Sequence, residues 1–183
     1  MTGVQTCALP ISWTATYPNP CVGAVVVQAG RVVGAGHSAA TGGPHAEVRA
    51  LSMAGAAARG ATVYVTLEPC SHHGRTPPCT DALIAAGVAE VVFSVRDPAR
   101  HAAGRASAVL AAAGVRAREG VAEAIGAGVH EHYLHHEQRR RPFVTLKAAT
   151  SLDGRIAAHG GDSKWITGEP ARRVGHWLRA RHH

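Results

Sequence analysis

His45-Ala46-Glu47 and Glu68-Pro69-Cys70, with Cys79 after a further eight residues, are the side chains in this sequence best suited to chemistry. One imidazole and two thiolates suit a tetrahedral Zn²⁺, and three protein ligands leave a fourth position open for water. An open position means catalysis rather than stapling. Glu47, two residues beyond the ligand histidine, is placed to move a proton between that water and a substrate amine. Taken singly, a His or Glu at a helix start is a cap or a dipole partner, and a buried free cysteine is an ordinary core residue. The joint pattern is what argues for a site. Its main rival is a closed structural zinc, which needs a fourth protein ligand that His72 or His73 could in principle supply.

The order H-x-E followed by P-C and a second cysteine is the general signature of zinc deaminases. Here the cysteines are separated by a longer and more basic insert, Ser71-His72-His73-Gly74-Arg75-Thr76-Pro77-Pro78. HAE and PCSHHGRTPPC together resemble the deaminase half of the bifunctional riboflavin-biosynthesis deaminase/reductase family, and the resemblance runs from about Asn19 to about Arg179. It implies an α/β fold: a three-layer α/β/α cytidine-deaminase-like domain with a mixed central sheet, followed by a fragment of a reductase domain. It further implies Zn²⁺ on His45, Cys70 and Cys79, with Glu47 as the catalytic proton carrier. The substrate it implies is 2,5-diamino-6-ribosylamino-4(3H)-pyrimidinone 5′-phosphate.

By the same resemblance Asn19 touches the pyrimidine, and an amide is apt because it offers a base edge both a donor and an acceptor. The alternative is that Asn19 only forms an Asx-turn between Pro18 and Pro20. His72 and Arg75 match positions near the ribose phosphate, where a guanidinium presents paired donors to a phosphate oxygen. The sequence departs from the family at Ser38, seven residues before the ligand histidine, where Gly-x-His is usual; the nearest imidazole is His37.

From Arg141-Pro142-Phe143 a new segment begins. Thr150 to Ala157 and Asp162 to Thr167 look like the start of the family's NADPH-dependent reductase domain. The match assigns Ala149 and Trp165 to the cofactor and Ser163 and Arg179 to the substrate. The chain then covers only the opening of a domain that is usually on the order of two hundred residues. The expectation is an incompletely packed extension with exposed apolar surface and no reductase turnover. The organisation read from the sequence is therefore residues 1–16 as a doubtful, non-native N-terminus resembling translated sequencing adaptor, 17–141 as the deaminase domain, and 142–183 as the start of the reductase.

The elements that must position the site follow from periodicity and punctuation. Val22 to Val27 and Arg31 to Gly36 read as two strands around a turn at Gln28-Ala29-Gly30, and Ala61 to Leu67 alternates as a strand delivering Glu68-Pro69-Cys70 at its C-terminal end. A helix runs from His45 to near Arg59-Gly60, a second from Thr80 to Gly87 and a third from Arg105 to Ala113. Glu90 to Val95 and Val115 to Arg118 are further strands, and Val144 to Ala149 is strand-like. Backbone N–H groups at the following helix start should stabilise Cys70 and Cys79 as thiolates, beyond what a metal does. Strands alternating with helices argue for a mixed sheet covered on both faces. Val121 to Arg140 reads as one helix with His130, His132, His135 and His136 spread around it, best taken as a polar, solvated face. In Met1 to Thr16, Pro10 and its small and β-branched neighbours oppose the amphipathic helix with which the family normally begins.

Composition agrees without specifying. The chain has 183 residues, 46% hydrophobic and 17% charged, which is globular. Aromatics are only 4%, so the core should rest on Val, Leu, Ile and Ala. The net charge of +7 invites a nucleic-acid base deaminase whose binding would depend strongly on salt. Much of that charge sits late, in Arg139 to Arg141 and in Arg172, Arg173, Arg179 and Arg181, and reads as a solvated or phosphate-holding face. The expected partner is a small pyrimidine ribotide, with no nucleic acid and no membrane; family relatives leave a homo-oligomer open. Four cysteines in a chain that is neither short nor visibly secreted do not make a disulfide framework. The apolar run Thr6 to Ile11 is too short to span a membrane, so the cytoplasm is the expected location.

Overall fold

Val-rich strands punctuated by glycine turns build a five-stranded sheet in the order β2-β1-β3-β4-β5. The computed structural model describes residues 16–100, 102 and 104–180. The expectation for Met1 to Thr16 lies, except for Thr16, outside the described residues. The chain divides into two units, Met1–Pro142 and Phe143–His183.

In the first unit β1 (Gly23–Gln28) and β2 (Arg31–His37) form a hairpin. Both turn residues have positive φ, Ala29 at 48° and Gly30 at 76°, the backbone that a tight hairpin with native twist demands. On its other edge β1 pairs antiparallel with β3 (Thr62–Leu67), and β3 then pairs parallel with β4 (Glu90–Val95), which pairs parallel with β5 (Arg116–Arg118). Mixed pairing follows from the connections, because a hairpin links antiparallel neighbours while parallel ones need a crossover helix.

Three helices supply one outer layer: α1 (Ala46–Ala54), extended by a 3₁₀ turn over Gly55–Ala58, α2 (Cys79–Ala85) and α3 (Ala106–Ala112). Their inward residues Ala50, Leu51, Leu83 and Leu110 meet Ala24, Val26, Val63, Val65, Val91 and Phe93 from one face of the sheet. The core is thus mostly Val, Leu and Ala, and among the described residues Phe93 is its largest fully buried side chain and the expected isoleucine is absent from the fully buried set. A fourth helix, α4 (Glu123–Val129), packs on the opposite face, where a Cβ on Gly126 would lie 2.5 Å from that of Ser94. Ser94 follows Phe93 and so faces the other way.

Helix α1 sits unusually close to β2. A Cβ on Gly34 would fall 2.2 Å from the Ala50 carbonyl oxygen, and one on Gly36 would fall 2.3 Å from that of Ala46. Bare backbone on the strand and alanine on the helix let the two approach, and this fixes where α1 begins.

Two expectations are corrected. The segment from Val121 to Arg140 is two helices, α4 and α5 (Glu131–Arg139), broken at His130 (φ −104°, ψ 15°). The break falls at a buried position: His130 is 2% exposed rather than on a solvated face. Val144 to Ala149 forms no strand; among the described residues of the second unit no strand exists to pair with it, and an extended segment needs a ladder. That unit's one described helix is α6 (Glu169–Ala180).

Candidate metal-centred active site

His45 occupies the N-cap position of α1 with extended backbone (φ −70°, ψ 164°) and makes no side-chain cap bond. Its ring is free to turn toward the sheet. Strand β3 ends at Leu67, two residues before Pro69, and Cys70 follows; Cys79 opens α2. The strand end and two helix starts therefore converge at one edge of the sheet, where open α/β folds build their ligand sites.

The three chelating atoms, His45 Nδ1 and the two Sγ atoms, all lie within 4.8 Å of one another. Nδ1 is 3.1 Å from Cys79 Sγ and 3.6 Å from Cys70 Sγ. A tetrahedron with Zn–N near 2.0 Å and Zn–S near 2.3 Å has edges of about 3.5–3.8 Å, so the donor set fits zinc in chemistry and spacing. Among the described residues no fourth His, Cys, Asp or Glu joins the group. His73 is exposed and His72 lines the cleft without joining, which leaves the closed-site alternative without its fourth ligand.

Neighbouring groups prepare the ligands. Thr76 Oγ1 lies 3.3 Å from His45 Nε2; accepting its N–H would leave Nδ1 as the lone-pair nitrogen facing the sulfurs. The Cys79 N–H donates to Cys70 Sγ at 3.2 Å. Cys70 is held down to about 4, first by the hydrogen bond from the Cys79 thiol and then by His45, against the opposing effect of burial. Cys79 is pushed up by that same bond and by burial. The Cys70 hydrogen bond raises His45 above its ordinary value, with burial opposing. Glu47, 3% exposed in the first turn of α1, has its carboxyl raised chiefly by burial. A carboxyl that holds its proton longer than usual is suited to carrying one between two partners.

These groups open into a cleft of about 460 Å³ lined by His45, Glu47 and Cys70, a size that suits a small metabolite. Asn19, His72 and Arg75 also line it. The Asn19 N–H donates to the Thr16 carbonyl at 2.7 Å, so the turn closes through backbone. Ser38 lines the cleft too, its hydroxyl accepting from the Val22 N–H at 3.0 Å. His37 instead pairs with Arg49, whose guanidinium lies 3.2 Å from its Nδ1.

Sequence reasoning missed the far wall. Asp97, Tyr133 and Glu137 line the cleft, and the Tyr133 hydroxyl donates to Asp97 Oδ1 at 2.8 Å. The available signal for Asp97 was its place just past the C-terminal end of β4; Tyr133 and Glu137, four apart on α5, offered none. In the second unit Ser163 and Trp165 line a cleft of about 620 Å³, with Arg172 stacked 4.3 Å over the Trp165 ring. Ala149 and Arg179 do not line it; Arg179 is exposed, 3.4 Å from His176.

Comparison with known proteins places these features in a lineage. The family model for the cytidine and deoxycytidylate deaminase zinc-binding region matches residues 3–95, and that for the RibD C-terminal domain matches residues 142–183. Riboflavin biosynthesis protein RibD of Escherichia coli K12 is 51% identical over 168 residues, covering 92% of this chain and 46% of that protein. Its counterpart in Mycobacterium tuberculosis H37Rv is 53% identical over 167 residues, covering 90% and 49%. The chain thus spans about half the length of the curated relatives it matches. Among solved structures, Acinetobacter baumannii RibD (form 1) superposes with a TM-score of 0.89 at 43% identity, over 98% of this chain and 50% of that one. The deaminase/reductase of Thermotoga maritima gives 0.85 at 42%, over 96% and 50%.

Proposed function

The chain belongs to the cytidine and deoxycytidylate deaminase family and is RibD-like along its length, and from that premise we propose that its first unit is a zinc-dependent hydrolytic deaminase of riboflavin biosynthesis. The proposed substrate is 2,5-diamino-6-ribosylamino-4(3H)-pyrimidinone 5′-phosphate, and the product is the corresponding 5-amino-uracil ribotide with release of ammonia. The observation that carries the reading is the convergence of His45 Nδ1 with two cysteine sulfurs at the edge of a cleft into which the buried Glu47 also opens.

His45, Cys70 and Cys79 would hold the zinc, which when bound would supply the Lewis acidity that makes water acidic enough to ionise near neutral pH. Glu47 takes the proton of the attacking water as its oxygen bonds to the amine-bearing ring carbon. It then returns that proton to the departing nitrogen, which leaves as ammonia when the C–N bond breaks. Burial of Glu47 raises its proton affinity in the direction this double transfer needs. Asn19 orients the pyrimidine by its edge, and Arg75 with His72 holds the ribose phosphate, the guanidinium giving paired donors to its oxygens.

For the second unit we propose the opening portion of an NADPH-dependent reductase domain, with Trp165 and Ala149 toward the cofactor and Ser163 and Arg179 toward the substrate. The match to the RibD C-terminal domain supports this. Among the described residues no helix is long and apolar enough to cross a membrane. The same reading has the protein acting in the cytoplasm on a small molecule, without nucleic acid, and the homo-oligomer as the assembly to test. Metal analysis paired with an ammonia-release assay on the diaminopyrimidine ribotide tests the function: one zinc per chain and turnover are expected, whereas zinc without ammonia release would reject it.

A further inference from the structure

Glu68 stands two residues before Cys70 and is itself among the residues lining the cleft, yet it does not belong to the metal group. It is 4% exposed and accepts three backbone N–H bonds. Asp97 N and Gly104 N donate to Oε2, each at 3.1 Å, and Ala106 N donates to Oε1 at 3.0 Å. These donors lie 29 to 38 residues away along the chain, two in the connection from β4 to α3 and the third, Ala106, at the first residue of α3. A buried carboxylate is tolerated only when its oxygens are satisfied, and here backbone donors do that work. Glu68 N also donates to the Val95 carbonyl at 2.8 Å, so main chain and side chain of one residue both grip the same crossing.

That connection includes Asp97, which lines the cleft. Its Oδ1 accepts from Ala99 N at 2.9 Å and from the Tyr133 hydroxyl at 2.8 Å. The wall is therefore fixed from two sides, by Glu68 on its backbone and by Tyr133 on its side chain. We propose that Glu68 is a positioning residue for substrate binding: with its carboxylate oxygens engaged by backbone N–H groups, it sets the distance between the Asp97–Tyr133 wall and the metal-ligand edge. The proposal rests on the deaminase reading for its kinetic test alone.

Glu68→Gln keeps the shape but replaces one acceptor oxygen by an amide nitrogen, so at least one of the N–H groups loses its partner. In the zinc-loaded full chain this variant should hold one zinc per chain and keep kcat within about threefold, while KM for the diaminopyrimidine ribotide rises about tenfold, the scale of one buried charge-assisted hydrogen bond. Hydrogen exchange at the amides of Asp97, Gly104 and Ala106 should accelerate, with exchange in β3 unchanged. Tyr133→Phe, which releases the wall from its other side, should raise KM by about threefold with zinc intact; if Glu68→Gln does not fold, Glu68→Asp, which keeps both oxygens on a shorter arm, decides the matter by the same amide-exchange and KM measurements. Wild-type KM and wild-type exchange in Glu68→Gln would overturn the proposal, and so would loss of zinc in step with binding, since Glu68 would then be acting on the metal edge. If the wild type releases no ammonia, the deaminase reading fails instead, and the amide exchange still decides what Glu68 does.

Discussion

The two units carry sequence motifs of similar clarity, yet the structure treats them differently. In Met1–Pro142 a continuous sheet and its helices bury Val63, Val91, Phe93 and Leu83 completely, and Asn19, His45, Glu47, Cys70, His72 and Arg75 share one cleft. In Phe143–His183 the helix α6 buries only Gly175, while Val144, Leu146, Leu152 and Trp177 are exposed. Of the four residues assigned there, two line a common cleft. Loops in that unit are held locally, as where Ser151 bonds to Asp153 and to Arg155. The difference teaches that a motif becomes a site only where layered packing holds its parts to one another.

The largest effect that would sharpen this contrast lies in the first unit. Glu47→Gln should retain zinc and lose ammonia release by about 10³-fold, within the range for a general acid–base group; an active variant would break the assignment of that unit as the chemically competent one. Leu83→Ala, deep in the core, should cost about 3 kcal/mol of stability, measured by urea unfolding of the zinc-loaded chain.

Acid supplies a third probe. His130 is depressed to about 4 from an ordinary 6.5 by burial, so the unfolded chain takes up a proton that the folded one refuses. Its stabilisation is complete above pH 6.5 and is lost as pH falls through the folded value near 4. The full loss is on the order of 3 kcal/mol. His130→Leu should therefore gain on the wild type as pH drops across that window, and parallel stability curves would refute the buried-imidazole account.

Smaller again, Arg75→Ala should raise KM about thirtyfold, as for loss of a charged phosphate contact, leaving zinc content unchanged; equal loss of both would remove Arg75 from substrate binding. Smallest of all, Leu152→Ala in the second unit should shift stability by less than about 0.5 kcal/mol, since that side chain is fully exposed. A cost matching that of Leu83→Ala would dissolve the distinction between the units.

Most of the sheet was legible because its strands alternate or run apolar between glycine turns, and each strand read in the first unit matches one observed within a residue or so. The helix expected over Val121 to Arg140 was not, because a polar-looking histidine gives no sign that it will be buried at the position where the run breaks, His130. Val144 to Ala149 carries strand-forming residues, but strand formation depends on a partner edge that propensity cannot supply. The group that could hold a metal, His45 with Cys70 and Cys79, was visible since chelation demands particular side chains at readable spacings. The Asp97–Tyr133 wall and the Glu68 tether were not, being contacts between residues some 29 to 38 positions apart.

By itself the sequence determined which side chains could bind a metal and carry a proton, because those capacities belong to imidazole, thiolate and carboxylate groups wherever they stand. Tertiary structure alone decided that Nδ1 rather than Nε2 of His45 faces the sulfurs, that no fourth ligand among the described residues closes the group, and that Glu68 serves a neighbouring loop instead of the metal. Distances between parts far apart in the chain are set by how closely helix α1 can approach the glycines of β2 and how each crossing is anchored. Packing fixes such distances, and no local pattern encodes them.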